Sequence, residues 1–329
     1  MPVNVSEVDE AELLGRIFPR LPTGASTLLG PGDDAAIVAA PDGRVAVSTD
    51  VLVAGRHFRL DWSTGADVGY RAASQNLADI AAMGARPTAI VVGLVLPAAT
   101  PVAWVEDLAD GLALACSPLG VGVVGGDLVG GRELVVSVTV HGDCRGRAPV
   151  TRAGARPGHV IGLCGTLGRS AAGWAALERF GPDAGRDPAL VGHVGVFRRP
   201  VPPLPAGVRA AEAGASAMMD VSDGLLKDGA RLALASGVTL ALDSAALAAD
   251  LADLAPAGAL LGVDPWTWLL GGGEDHALLA VFPDVGRAEV AGFRVVGAVV
   301  EAREDGPVLL DGHAPGRRRL RTGWDHFRA

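Results

Sequence analysis

Residues 66–96, ADVGYRAASQNLADIAAMGARPTAIVVGLVL, join a helical pattern to a strand pattern and decide the predicted fold. Apolar residues recur at helical spacing in the first part, namely Val68, Ala72, Leu77 and Ile80. This spacing predicts a helix that begins at Ala66 and ends at Met83, before Gly84. The β-branched residues of Thr88–Leu96 favour a strand.

Shorter elements flank this pair on both sides. The pattern predicts strands at Ala35–Ala40, Arg44–Ser48, Val121–Val124 and Glu133–Gly142, and a helix at Pro101–Ser117. The order β-β-α-β-α-β-β over residues 35–142 therefore predicts an α+β domain with a mostly antiparallel sheet.

A domain boundary is expected where arginine, proline and glycine cluster, in the segment 145–158 (RGRAPVTRAGARPG). We therefore predict an N-terminal domain over residues 1–148 and a C-terminal domain over residues 149–329. Strands and helices alternate in the second part, for example in Ala217–Val221, Leu225–Ser236 and Val238–Leu242, which predicts an α/β domain.

Composition excludes several classes of function. The 329 residues carry a net charge of −9, which argues against nucleic acid or an anionic membrane surface as the main partner. Lys227 is the only lysine among 28 basic residues, and it lies outside any G-x-x-x-x-G-K-[ST] loop. The chain therefore has neither a P-loop nor the strand lysine of protein kinases.

The cysteines and the N-terminus indicate the compartment. Cys116, Cys144 and Cys164 are odd in number and widely spaced, so they predict buried free thiols rather than disulfides or a zinc site. The sequence shows no signal peptide and no apolar run of membrane-spanning length. We therefore expect a cytoplasmic protein.

Acidic residues beside glycine or small apolar residues are the strongest chemical signal. They are Asp33, Asp34, Asp50, Asp79, Asp127, Asp220, Asp223, Glu274 and Asp275. Each alone is consistent with a helix cap, a turn or an arginine partner, but a carboxylate in such surroundings is costly unless it is paired or binds metal. Together with the glycines, they indicate a site for Mg²⁺ and a nucleotide. The string Gly120–Gly125 matches G-x-G-x-x-G, but no helix follows it, which argues against a dinucleotide-binding fold.

Ordered motifs resemble those of the thiamine-monophosphate kinase family, within the superfamily of aminoimidazole ribonucleotide synthetase. They are Gly30–Asp34, Ser48–Asp50, Asn76–Gly84, Gly125–Asp127, Thr151-Arg152, Asp220–Gly224 and Gly271–Asp275. The resemblance runs from about residue 10 to Gly323–Phe327 and weakens over 181–205 and 243–265. The segments Ser48–Phe58 and Trp324–Phe327 are the most particular to this family.

The resemblance implies an activity and an assembly. The activity is transfer of the γ-phosphoryl group of ATP to thiamine monophosphate, the last step of thiamine diphosphate biosynthesis, with several Mg²⁺ ions. The N-terminal α+β domain would bind ATP and Mg²⁺ and form a homodimer. The C-terminal domain would be an α/β sandwich that completes the substrate site.

Roles for individual residues also follow from the resemblance. The implied Mg²⁺ ligands are Asp34, Ser48, Thr49, Asp50, Asp79, Asp127, Asp220 and Asp223, of which Asp50, Asp79 and Asp127 are the catalytic candidates. The implied ATP contacts are Gly126, Asp127, Arg152 and Ser222. The implied contacts to thiamine monophosphate are His57, Glu274 and Trp324. Trp324 stands where the family often has tyrosine, so it keeps the aromatic face and lacks the hydroxyl.

Two alternatives stay open at this point. One is another ATP-using enzyme of the superfamily, but the His57 and Trp324 motifs argue against aminoimidazole ribonucleotide synthetase. The late position of Cys116, the first cysteine, argues against selenophosphate synthetase. The other alternative is a non-catalytic protein that binds a nucleotide or a divalent metal. Against it, none of the acidic motif positions carries a neutral residue.

Overall fold

The computed structural model describes residues 3–31 and 35–315. The chain divides into two compact units. Unit 1 consists of Met1–Ile80 and Ala85–Arg147, and unit 2 of Ala81–Gly84 and Ala148–Ala329. Within the described residues, no helix is both long and apolar enough to cross a membrane.

Unit 1 is built on a four-stranded sheet with strand order β3-β6-β4-β5. Its strands are β1 (Thr27–Leu29), β2 (Ile37–Val38), β3 (Ala46–Val53), β4 (Arg86–Leu96), β5 (Gly122–Gly130) and β6 (Val135–Asp143), and its helices are α1 (Glu10–Ile17), α2 (Gly65–Ala82) and α3 (Val102–Cys116). Strands β4 and β5 are parallel, whereas β6 pairs antiparallel with both β3 and β4. Strands β1 and β2 form a separate antiparallel pair. The predicted α+β class with a mostly antiparallel sheet is confirmed.

Two strands of this sheet are longer than the sequence predicts. Strand β3 continues through Asp50 to Val53, because Asp50 pairs with Val138 and the ladder to β6 extends to the end of the strand. Strand β5 continues through Gly126 and Asp127, which pair with Val92 and Gly93 of β4. A run of polar residues or glycines thus does not end a strand when the neighbouring strand supplies backbone partners.

The two faces of the unit 1 sheet differ. One face contributes buried side chains to a core, including Leu52 of β3 and Val138 of β6. The register places Val47 and Val51 on the other face, and their side chains are 64% and 48% exposed. Helices α2 and α3 approach closely where Gly65 lies against Trp104, since a Cβ there would lie 2.1 Å from the Trp104 carbonyl oxygen.

Unit 2 contains a six-stranded sheet with strand order β12-β9-β11-β7-β10-β8. Its strands are β7 (Val160–Cys164), β8 (Ala217–Val221), β9 (Val238–Leu242), β10 (Ala277–Phe282), β11 (Arg294–Glu301) and β12 (Val308–Leu310). Its helices are α4 (Arg169–Phe180), α5 (Val191–Arg198), α6 (Leu204–Glu212), α7 (Leu225–Ser236), α8 (Ala248–Leu261), α9 (Pro265–Gly271) and α10 (Val285–Ala291). Every residue of β8 and β10 is buried. The predicted mixture of strands and helices is confirmed, but four of the five strand pairings of this sheet are antiparallel, and β12 pairs parallel with β9. The predicted bounds of β8, α7 and β9 agree with the structure.

The cysteines are free thiols, as the sequence predicts. Cys116 is buried, and burial raises the pKa of its thiol to about 12. Cys144 and Cys164 are only half-buried, so the expectation of three buried thiols is wrong for these two.

Candidate active site

Three predicted metal ligands of unit 1 are held between β3 and α2. The Ser48 hydroxyl donates to Asp79 Oδ2 over 2.6 Å, and the Gln75 side-chain amide donates to Asp50 Oδ2 over 3.2 Å. Ser48 and Asp50 share one face of β3 because strand side chains alternate, and Gln75 and Asp79 share one face of α2 because they are four residues apart. The structure therefore brings Ser48, Asp50 and Asp79 together on the helix side of the sheet.

Thr49 lies on the opposite face of β3. Its hydroxyl donates to the Val138 carbonyl oxygen over 3.0 Å and accepts a hydrogen bond from the Thr139 hydroxyl over 3.1 Å. Thr49 lies between Ser48 and Asp50 in the chain, so the strand backbone separates its side chain from theirs. The structure does not bring the Thr49 side chain to the Ser48–Asp79 group.

Gly126 and Asp127 lie on β5, where close packing requires glycine. A Cβ on Gly126 would lie 2.1 Å from the Val92 carbonyl oxygen of β4. The exposed Asp127 carboxylate accepts the backbone N–H of Leu128 over 3.0 Å. Gly126 therefore leaves its backbone accessible beside the Asp127 carboxylate. A site that binds phosphate and metal needs both features.

Gly126 lines two cavities of unit 1. One has a volume of about 470 Å³, and Val91, His141 and Gly126 are among its lining residues. The other has a volume of about 110 Å³ and is lined mainly by apolar side chains of α1, α3, β4 and β5, with Gly126 and Asp127 at one side.

His57 follows β3, and its protonation is set by the backbone. The Val53 N–H donates to His57 Nδ1 over 3.0 Å. An Nδ1 atom that accepts a hydrogen bond carries no proton, so the neutral ring carries its proton on Nε2. The hydrogen bond from Val53 therefore holds the ring in the Nε2–H tautomer.

The unit 2 candidates lie at the end of β8 and in the loop after it. His276 Nδ1 lies 3.2 Å from Asp220 Oδ2, and both side chains are buried. His276 Nε2 lies 4.0 Å from Glu274 Oε2. His276 thus connects a predicted metal ligand with a predicted substrate contact.

Asp223 carries cationic partners. Its Oδ2 atom lies 2.7 Å from Arg231 Nη2 and 3.0 Å from Lys227 Nζ. Asp228, which the sequence reasoning did not select, accepts the backbone N–H groups of Asp223 and Gly224 over 2.8 and 3.0 Å. Burial raises the pKa of Asp228 to about 6.

The glycine-rich loop before β10 packs against the loop that carries Ser222. A Cβ on Gly273 would lie 1.9 Å from the Ser222 carbonyl oxygen, and this oxygen accepts the Glu274 N–H over 2.9 Å. Glu274 and His276 have φ values of 69° and 55°, a region that non-glycine residues seldom adopt. The structure therefore brings together Ser222 and Glu274, the predicted ATP and substrate contacts.

Asp275 also holds the glycine-rich loop before β10 in place. Its buried carboxylate accepts the Thr166 hydroxyl and the backbone N–H groups of Arg169 and Ser170, over 2.9, 3.1 and 3.0 Å. Burial raises its pKa to about 7. Asp275 thus ties the loop to the N-terminus of α4.

Arg152 is exposed in the segment before β7. Its neighbour Thr151 accepts the Met218 N–H of β8 over 3.0 Å, and the Arg152 carbonyl oxygen accepts the Ser236 hydroxyl over 2.9 Å. The Arg152 backbone is thereby held near strand β8, which carries Asp220. Two further predicted residues, Asp34 and Trp324, lie outside the described residues.

The predicted ligands supply only oxygen atoms, the donor type that Mg²⁺ prefers. Over residues 3–31 and 35–315, however, no three His, Cys, Asp or Glu side chains form a group that could hold a metal ion. The carboxylate pair Asp50 and Asp79 fits Mg²⁺ chemically, and any ion held there would take further ligands from water or a phosphate.

Sequence reasoning missed three residues that hold the candidates in place, namely Gln75, Asp228 and His276, and it listed Asp275 among the acidic residues without giving it a role. Gln75 was detectable, because it lies one helical turn before Asp79 and faces the same way. Asp275 and His276 adjoin the predicted Glu274, but only the structure shows what they contact.

Comparison with known proteins identifies the family. Residues 32–144 match the model of the AIR synthase related protein, N-terminal domain. The thiamine-monophosphate kinase of Mycobacterium tuberculosis H37Rv is 51% identical, over 94% of this chain and 89% of the relative. The enzyme of the same name from Corynebacterium glutamicum is 42% identical, over 90% of this chain and 88% of the relative.

A solved structure agrees with these relatives. AaThiL complexed with AMPPCP and TMP has a TM-score of 0.76 and 31% identity, with 90% of this chain and 91% of that chain covered. The motif resemblance is thereby confirmed. The chain belongs to the thiamine-monophosphate kinase family.

Proposed function

We propose that this chain transfers the γ-phosphoryl group of ATP to thiamine monophosphate and releases thiamine diphosphate and ADP. The observation that carries the proposal is the 51% identity to a thiamine-monophosphate kinase over 94% of the chain. A relative with 31% identity, AaThiL, is solved with AMPPCP and TMP, which supports ATP and thiamine monophosphate as the two substrates.

The test measures products of the purified chain with Mg²⁺ and ATP. We expect one ADP and one thiamine diphosphate per turnover, and only when thiamine monophosphate is present. Thiamine, which lacks the acceptor phosphate, is the control substrate and should give no ADP. ADP release independent of thiamine monophosphate would favour another ATP-using enzyme, and binding of ATP without turnover would favour a non-catalytic relative.

Several Mg²⁺ ions belong to the proposal. Asp34, Ser48, Thr49, Asp50, Asp79, Asp127, Asp220 and Asp223 would hold them, directly or through water. When bound, the ions supply positive charge that offsets the repulsion between two polyanionic substrates. The hydrogen bonds to Asp50 and Asp79 support this role, because Gln75 and Ser48 orient the carboxylates without adding charge.

The chain's own residues position the substrates for in-line transfer. The acceptor oxygen of thiamine monophosphate is already anionic, so the reaction needs little base catalysis. Gly126, Asp127, Arg152 and Ser222 would contact ATP, and Arg152 can bind a phosphate through two N–H groups. His57, Glu274 and Trp324 would contact thiamine monophosphate. The hydrogen bond from the Glu274 N–H to the Ser222 carbonyl oxygen supports placing these two unit 2 contacts close together.

We also propose that residues 1–148 form the ATP- and Mg²⁺-binding, dimerising domain and that residues 149–329 complete the substrate site, in a cytoplasmic enzyme. The open face of the unit 1 sheet supports the homodimer. Val47 and Val51 of β3 are 64% and 48% exposed there, and Val129 of β5, at the opposite edge of the sheet, is 51% exposed. Exposed apolar surface of this kind is typical of an interface.

A further inference from the structure

Asp228 is a buried carboxylate that the proposed mechanism does not use. Its side chain is 0% exposed and lies in the first turn of α7. Burial of a carboxylate is unfavourable unless its oxygens are bonded. Both Asp228 oxygens are bonded, Oδ2 to two backbone N–H groups and Oδ1 to Arg231 Nη1 over 2.7 Å.

The direction of these bonds distinguishes Asp228 from an ordinary helix cap. A capping side chain usually precedes the helix and accepts N–H groups of the first turn. Asp228 instead lies inside the helix and accepts the N–H groups of Asp223 and Gly224, which precede Leu225. It therefore fixes the loop before α7 rather than the helix alone.

The loop in turn holds the segment before β10. The Ser222 carbonyl oxygen, one residue before Asp223, accepts the Glu274 N–H over 2.9 Å. Gly273 packs so closely that a Cβ would lie 1.9 Å from the same oxygen. A displacement of the Ser222–Gly224 loop would therefore displace Glu274.

We infer that Asp228 is a positioning residue that holds the Ser222–Gly224 loop and, through it, Glu274 in the geometry needed for turnover. This inference rests on the proposed function for the roles of Ser222 and Glu274. Arg231 completes the arrangement, because it contacts both Asp228 and Asp223 over 2.7 Å.

The experiment compares Asp228→Ala and Asp228→Asn with the unaltered full chain. Hydrogen exchange at the Asp223 and Gly224 amides should be about tenfold faster or more in Asp228→Ala, since the charged acceptor of both is lost. The ratio kcat/KM for ATP should fall by about tenfold or more, because the loop no longer holds its contacts in place. Asp228→Asn keeps one oxygen acceptor and should recover part of both losses.

Asp250→Ala is the matched control. Asp250 is a half-buried carboxylate of unit 2, with its side chain 13% exposed and paired with Arg294 over 2.6 Å, outside the candidate site. It should lower the thermal unfolding temperature and leave kcat/KM and the Asp223 and Gly224 exchange near the unaltered values. If Asp228→Ala does not fold, Asp228→Asn carries the comparison.

Two results would overturn the inference. One is unchanged exchange at Asp223 and Gly224 in a folded Asp228 variant, and the other is a loss of kcat/KM no larger than that of Asp250→Ala. If the unaltered chain forms no ADP with thiamine monophosphate, the proposed function is wrong. The exchange measurement still decides whether Asp228 holds the loop.

Discussion

The two sheets of this protein differ in how completely the chain covers them. Strand β10 of unit 2 is buried at every position, whereas β3 of unit 1 exposes every second side chain, including Val47 and Val51. A strand buried on both faces needs no further partner, while an apolar face left open is unfavourable in water. The difference makes the open face of β3, rather than either face of β10, the candidate interface of the proposed homodimer.

The contacts described above for the candidate carboxylates differ between the two units. In unit 1, neutral donors orient Asp79 and Asp50, namely the Ser48 hydroxyl and the Gln75 amide. In unit 2, Asp223 contacts two cations, Lys227 and Arg231. A carboxylate that already binds cations must exchange them to bind a metal ion. We therefore expect a metal ion at Asp223 to displace Lys227 and Arg231 from the carboxylate.

The largest effect is expected for Asp79→Asn, with Asp50→Asn as its counterpart on β3. Loss of one ligand charge should lower kcat by about a thousandfold, since metal-mediated stabilisation amounts to several kcal/mol. Steady-state ADP formation and thermal unfolding measure the two consequences separately. Asp107→Asn, an exposed aspartate of the same unit, is the control and should retain full activity. Unaltered rates in both variants at low Mg²⁺ would refute the metal-binding role.

The double variant Val47→Asp, Val51→Asp tests the open sheet face. Two carboxylates on this face should raise the dimer dissociation constant by about a hundredfold or more, because charges would be buried without partners. Light scattering at micromolar concentration gives the mass. Arg44→Asp, near the end of the sheet, adds the same charge at an exposed position and is the control. A monomeric and fully active unaltered chain would contradict the homodimer.

The predicted elements match the structure where the spacing of apolar residues and the positions of turn residues indicate the same boundaries. The run β8-α7-β9 shows this, because Gly224 and Gly237 separate clearly apolar segments. The same reasoning ended β3 and β5 too early, at Ser48 and Val124, since cross-strand pairing outweighs local propensity. It also missed α6, α8 and α10, and Pro256 inside α8 had weakened the helical pattern there.

The candidate site was only partly predictable for a different reason. The sequence gives residue types and their order, so the motifs identified Asp50, Asp79 and Asp220. It contains no information on partners distant in the chain, such as Thr166 for Asp275, which is 109 residues away. It also cannot separate the faces of β3 before the strand is known, so it does not show that the Thr49 side chain lies opposite those of Ser48 and Asp50.

Asp275 of unit 2 gives a prediction about the pH dependence of stability, and its expected effect is smaller than the two above. Burial raises its pKa from 3.8 to about 7, so the folded chain holds a proton there that the unfolded chain releases. Stability due to this group is present below pH 3.8 and is lost as pH rises towards about 7. Asp275→Asn removes this dependence. Its free energy of unfolding relative to the unaltered chain should therefore rise by about 1 kcal/mol or more between pH 5 and pH 7.5.

Urea unfolding of both proteins at these pH values measures the difference. Asp275→Asn is expected to be less stable at pH 5, because the amide cannot replace both carboxylate oxygens as acceptors. A pH-independent difference between the two proteins would show that Asp275 ionises normally in the folded chain.

The smallest effect is expected for Lys227→Met, which removes one of the two cations on Asp223. The Lys227 and Asp223 side chains are 30% and 14% exposed, and Arg231 stays within 2.7 Å of the carboxylate. A partly exposed ion pair contributes at most about 1 kcal/mol, so the Mg²⁺ concentration for half-maximal activity should fall by about two- to threefold. The reason is competition, since a metal ion at Asp223 then has one cation fewer to displace.

Because Lys227 is the only lysine of the chain, reductive methylation provides a control that alters this side chain and the N-terminal amine but keeps the charge. The methylated chain should keep the Mg²⁺ requirement of the unaltered chain. A higher Mg²⁺ requirement in Lys227→Met, together with a higher KM for ATP, would show that Lys227 binds phosphate instead of competing with the metal. Lys227 and Arg231 would then belong to the nucleotide-binding site. They would bind phosphate and would not compete with a metal ion for Asp223.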